Sequence, residues 1–197
     1  MDPFKSVIFN NFDSILRVHY LIIDTVDRET NSYLKKIYSN ELNANEFEDF
    51  SLYHQSTNIL IQSTFLQLYA LLEETLYHES CKKTIKNLSG IKRFKEALAK
   101  QGYDTSGNFW KRLEEISKIR KCLLHSNGRL DIDRYRSETE SAIEMLNNSA
   151  NEQVIKTIDL KHHKPGTTII LIQESFLDYS SFIIKSFINS QHPENLI

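Results

Sequence analysis

Helical spacing of apolar residues is the feature that most restricts what this chain can fold into. Ile8, Phe12, Ile15 with Leu16, His19, Ile22 with Ile23, Val26, Leu34 and Ile37 recur three or four residues apart, the period that stacks side chains on one face of an α-helix. The stripe predicts one long helix over roughly residues 3–39, opened by Asp2-Pro3, an acidic cap followed by a proline at the first helical position. A second stripe, Phe50, Ile61, Thr64, Leu68 and Leu71 with Leu72, follows a capping-box pair at Asn45 and Glu48 and predicts a second helix reaching about Lys86. Five Gly and three Pro in 197 residues leave few breaks, a composition that favours long helices.

Ser89-Gly90 breaks the pattern. A short helix is expected over about residues 91–101, then a "YDTSGN" loop with Ser106 or Asn108 as the next cap. A third major helix is expected from Phe109 to about Asn127, with Gly128 as its left-handed terminator. Asp131 or Asp133 then opens a fourth, running to about Asn147. "VIKTIDL" and "TTIILI" are β-branched runs flanking "KHHKPG", and they predict a β-hairpin over about residues 153–172 that reads as an appendage. The last helix, about 174–190, carries Phe176, Tyr179, Phe182 with Ile183, and Phe187 on one side. The expected fold is all-α: a single domain over residues 1–197, an antiparallel up-down helical bundle with a small β-hairpin before the C-terminal helix.

A net charge of -2 argues against a strongly basic polymer binder, so nucleic-acid contact must come from a local cluster of cations. No apolar run approaches about 20 residues, so no membrane span or membrane partner is expected. The opening Met-Asp-Pro-Phe-Lys lacks the pattern of a secretory signal. Two cysteines, Cys81 and Cys122, suit a reducing compartment, and the expected location is cytoplasmic.

The chemistry-bearing stretch is "IRKCLLHSNG", residues 119–128. Ile116, Ile119, Leu123 and Leu124 read as its buried face. Arg120 and His125 point about 140° apart on a straight helix. Unwinding of the last turn before Asn127-Gly128 would bring them closer, and a two-fold axis would supply a second Arg and a second His. Such a site suits RNA cleavage by internal transfer. A neutral imidazole accepts the proton of the ribose 2′-OH, guanidinium stabilises charge gained by the phosphate, and a second imidazole protonates the leaving 5′-oxygen. The macrodipole also favours cations in any helix's last turn, so by spacing alone the pair reads first as the polar end of an ordinary helix.

"RKCLLHSNGRLD" resembles the HEPN superfamily (higher eukaryotes and prokaryotes nucleotide-binding domains), whose signature is Arg, four to six residues, then His at the end of a late helix. Arg120 and His125 fall on the signature positions, and "RKCLLHSNG" is similar to the Arg-x4-His-x-Asn-Gly endings of many bacterial members. The resemblance implies an α-helical bundle and a metal-independent endoribonuclease with a composite site where two such domains meet. It also implies a toxin or phage-defence role, with RNA, a second copy of the chain and an antitoxin or other defence protein as partners, and no cofactor. Two positions depart from the family. Lys121 stands where a polar Asn, Asp or His often follows the Arg, and Asn127 stands where one subgroup carries a modifiable Tyr. The alternative is a non-catalytic HEPN-like module for dimerisation or protein interaction.

Supporting roles are open to Lys121, Asn127, Glu114 and Glu74. Glu73-Glu74 on the second helix would orient a basic residue or form a solvated face, and Glu114 would pair first with Lys118. Lys111, Arg112, Lys118, Lys121, Arg129, Arg134 and Arg136 make the most basic part of the chain, a track for an RNA backbone or a solvated face balanced by Glu138 and Glu140. His162-His163 lacks companions at metal-ligand spacing, and no metal site is expected. His19 reads as a core or interface histidine, Cys122 as packing, and Trp110 as a core anchor.

Overall fold

The structure, a computed structural model, describes residues 3–41, 43–88, 90–160 and 166–190. Asp2, Ser89 and the His162-His163 pair, on which sequence expectations rested, lie outside the described residues. Helices dominate, joined by one two-stranded antiparallel sheet.

Helix α1 (Pro3–Tyr38) and helix α2 (Ala44–Glu79) form a long antiparallel pair. Asn40 turns the chain at φ 57° between them. The capping box that opens α2 is Asn43 with Glu46 rather than Asn45 with Glu48. Asn43 is extended, its side chain accepts from the Glu46 N–H, and the Glu46 carboxylate accepts from the Asn43 N–H. Asn45 and Glu48 are already inside the helix. α2 also stops short of Lys86. Cys81 and Lys82 both take left-handed backbone (φ 52° and 60°), and the Lys82 N–H donates to the Tyr77 carbonyl at 2.8 Å. That closure needs no glycine, so nothing in the sequence announced it.

A 3₁₀ turn (Gly90–Phe94) leads into the short α3 (Lys95–Ala99). Asp104 then gathers the N–H groups of Ser106 and Gly107, and Gly107 rather than Ser106 or Asn108 is the cap residue of α4 (Asn108–Ser126). α4 is the central helix: Trp110, Leu113, Ile116, Ile119, Cys122 and Leu123 are buried against α2, α5 (Arg136–Ala150) and α6 (Ser175–Ser190). Leu124, expected on that buried face, is 46% exposed. Asp133, not Asp131, organises the start of α5, accepting from the Tyr135 N–H and the Thr139 hydroxyl; Asp131 is taken by Arg129. On α6, Phe176 and Phe187 are buried as expected, whereas Phe182 faces solvent.

Strands β1 (Ile155–Asp159) and β2 (Thr168–Ile172) pair antiparallel with Ile155 opposite Ile172 and Asp159 opposite Thr168. The hairpin is not an appendage. Val154, Ile155, Ile170 and Ile172 are buried in the same core as the helices. The segment leaving α4 pairs with the free edge of β2: Ile170 N–H donates to the Gly128 carbonyl and Leu130 N–H to the Thr168 carbonyl, each at 2.8 Å. Asn147 on α5 clips the other strand, exchanging two hydrogen bonds of 2.9 Å with the backbone of Ile155. Among the described residues no helix is long and apolar enough to cross a membrane.

Candidate functional site

Arg120 sits on α4 where it meets α2 and the 3₁₀ turn. Glu73 on α2 lies between two guanidinium groups: one carboxylate oxygen is 3.2 Å from Arg93 Nη2, the other 3.6 Å from Arg120 Nη2. The Arg120 guanidinium also lies over the Tyr69 ring, 5.4 Å from its centroid, an arrangement favoured by the ring's negative face. The Tyr69 hydroxyl donates to Ser117 Oγ at 2.9 Å, and burial pushes the phenol up to about 12. Gly90, at φ +60°, allows this packing, since a Cβ there would stand 2.4 Å from Ser117 Oγ. Arg120 is thus oriented by a carboxylate and an aromatic face while its side chain keeps 27% exposure.

His125 is exposed, with no hydrogen-bond or ion-pair partner among the described residues. α4 stays helical through Ser126, so the last turn does not unwind to swing His125 toward Arg120. At about 100° per residue, Arg120, Leu124, Lys121 and His125 follow one another around an arc of about 140°. None of the four is buried; Arg120 and His125 mark the two edges of the arc. Lys121 and His125, four residues apart, share a face. The helix ends because Asn127 (φ 49°) and Gly128 (φ 75°) are both left-handed, and the Asn127 N–H returns to the Cys122 carbonyl. Asn127 itself is exposed.

The remaining acidic residues sort by orientation. Glu73 reaches Arg120; Glu74 points to solvent. Glu114 accepts from the Trp110 indole at 2.7 Å and lies 3.3 Å from Lys95, and it is Glu115 that pairs with Lys118. Of the basic cluster, Arg129 and Arg136 are held by Asp131 and Glu140, and Arg112 donates to the Met145 carbonyl. Lys121 and Arg134 instead lie against the half-exposed Tyr135, at 5.7 and 5.6 Å from its ring centroid. Tyr69 and Glu73 are four apart on α2, a spacing visible in the sequence that marks one face; Arg93, Ser117 and Tyr135 join only through the fold.

His19 is buried, its Nδ1 2.9 Å from the Thr64 hydroxyl, as befits a core histidine. Cys122 is buried and its thiol is pushed up to about 12, first by burial and then by Asp133. No group of three or more His, Cys, Asp or Glu stands close enough to hold a metal ion among the described residues. No protein-family model, curated protein or solved structure matches the chain significantly.

Proposed function

We propose that the chain is a metal-independent endoribonuclease of HEPN type, acting in the cytoplasm as a toxin or phage-defence effector and working as a homodimer. The observation that carries this reading is the exposed arc at the end of α4, with an oriented guanidinium at one edge and, at the other, an imidazole that has no partner among the described residues. Arg120 would neutralise the scissile phosphate, its guanidinium aimed in advance by Glu73 and Tyr69. Because α4 holds Arg120 and His125 of one copy about 140° apart, the site would be assembled from both copies across the two-fold axis, where a His125 imidazole would take the proton of the 2′-OH. The 2′-oxygen then bonds to phosphorus, the bond from phosphorus to the 5′-oxygen breaks, and the imidazolium of the partner copy's equivalent histidine supplies the proton that the leaving oxygen needs. The products carry a 2′,3′-cyclic phosphate and a free 5′-hydroxyl.

Cleavage of a labelled RNA in excess EDTA tests the reading. Wild type should cut, a substrate with 2′-deoxy at the cleaved position should be inert, and His125→Ala and Arg120→Ala should each lose roughly 10²–10⁴ in rate with unchanged far-UV circular dichroism. Variants within a few-fold of wild type, or activity that requires Mg²⁺, would remove the assignment. A second reading has its own support. Arg120 is already engaged by Glu73 and Tyr69, as a purely structural arginine would be, which suits a non-catalytic module that dimerises or holds a partner such as an antitoxin. A chain that never cleaves RNA and co-purifies with a stoichiometric protein partner would favour it.

A further inference from the structure

Between the edges of the α4 arc stands a feature that the cleavage chemistry does not use. Tyr135 caps the start of α5 and leaves 46% of its surface exposed. Two cations from different elements lean on its ring: Lys121 of α4 and Arg134 of the preceding loop. Neither has a carboxylate partner among the described residues, whereas their basic neighbours Lys118, Arg129 and Arg136 all do. Lys121 also lies one helical turn before His125 on the same face of α4.

We infer that Tyr135, Lys121 and Arg134 form a binding subsite for single-stranded RNA: an unpaired base stacks on Tyr135, and the flanking phosphates take the two cations. This rests on the ribonuclease reading for the identity of the polymer, and on the patch itself for the mode of contact. The half-exposed Tyr135 ring offers a π-face to an unstacked base once Lys121 and Arg134, both on flexible stems and without a carboxylate among the described residues, swing from the ring to the flanking phosphate oxygens. A base inside a duplex cannot reach such a ring, because its faces are already stacked on neighbouring pairs. Tyr and Arg also suit a protein interface, but lysine is depleted at interface cores, and two cations without carboxylate partners among the described residues call for a polyanion.

The test is a binding titration with the full chain carrying His125→Ala, so that the probe stays intact. The probe is a dye-labelled unstructured 12-nucleotide RNA, compared with the same strand annealed to its complement. Adding Tyr135→Ala should weaken single-strand binding roughly 5- to 150-fold, the range for loss of one stacked base. Tyr135→Trp should restore it. Lys121→Ala and Arg134→Ala should each lower the salt dependence by about 0.7 in log–log slope. Duplex binding should not respond to Tyr135. Unchanged single-strand affinity in Tyr135→Ala overturns the subsite, as does an equal loss for duplex and single strand. Lys121→Glu, on a different element, repeats the test should Tyr135→Ala melt early. If Tyr135→Ala instead converts a dimer to a monomer while RNA binding is unchanged, the patch is a protein interface and the inference fails. Cleavage of the same probe by the chain with native His125 decides the enzyme reading separately. Cutting that is indifferent to Tyr135 sinks only the subsite, and Tyr135-dependent binding without cutting sinks only the nuclease.

Discussion

Cys81 and Cys122 show how far one residue type is governed by its surroundings. Cys122 is 1% exposed in the α4 core, and burial followed by the nearby Asp133 carboxylate pushes its thiol up to about 12. Only the thiolate is nucleophilic, so Cys122 stays inert near neutral pH. Cys81 is exposed in the left-handed turn after α2, its sulfur 3.6 Å from Gln101 Oε1. Short maleimide treatment of the folded protein should therefore modify Cys81 alone, with Cys122 reacting only after denaturant is added. Intact-mass and peptide mass spectrometry reads the outcome, and fast double labelling would contradict the burial of α4. The assignment of Cys122 to packing was legible in the sequence because apolar residues surround it at helical spacing. The choice of Glu73 over Glu74 was not: adjacent residues differ by about 100° on the wheel, and only the position of α4 beside α2 says which one meets Arg120.

At the scale of elements, the hairpin changes most between sequence and fold. Its strands were readable from β-branched runs, but its integration was not, because no local pattern says that residues 128–130 will pair with β2. Gly128 contributes to that pairing twice. Its left-handed backbone turns the chain out of α4, and its carbonyl accepts from Ile170, whose side chain and carbonyl oxygen would lie only 3.4 and 3.5 Å from an added Cβ. Ile170 is 2% exposed at the centre of this junction. Ile170→Ala should destabilise the whole molecule by about 2–5 kcal/mol, the cost of a core cavity, seen as a lower midpoint in urea with an unchanged slope. A loss under about 0.5 kcal/mol, normal for surface positions, would restore the appendage view.

Across the whole molecule, His19 ties two helices to the entry of a third: it stands on α1, bonds Thr64 of α2, and faces Glu174, just before α6, at 3.5 Å. Burial lowers its pKa from the ordinary histidine value, a shift partly opposed by the Asp178 carboxylate. With the folded value below the unfolded one, the unfolded chain binds more protons in the interval between them. Stability contributed by neutral His19 is present above about pH 6.5 and is lost as pH falls below it. Glu174 acts in the opposite sense. Burial, then Asp27, Asp178 and Asp24, raise its pKa, so its contribution is present at low pH and lost as pH climbs through the raised value. Melting temperatures recorded from pH 7.5 to 5 should fall more steeply for wild type than for His19→Gln, and parallel curves would contradict the burial of His19. The proposed ribonuclease reading makes its own demand at this scale: in it one imidazole would not serve both proton transfers, so protein that cleaves RNA should run as a dimer by light scattering at micromolar concentration. An active monomer would remove the shared-site mechanism.

What the sequence determined by itself was whatever local periodicity encodes: the long helices α1 and α2, the amphipathic α4 and its Asn-Gly stop, the two β-branched strands, and the Arg120–His125 motif with its angular separation. Those features depend on backbone geometry repeated every few residues. Only the tertiary structure decided that α2 ends without a glycine, that the hairpin belongs to the core, and that Glu73, Tyr69 and Arg93 surround Arg120 while Tyr135 gathers Lys121 and Arg134. These depend on which faces of distant segments meet, and that is settled by burying all the apolar stripes at once, a condition no single stretch of the chain contains.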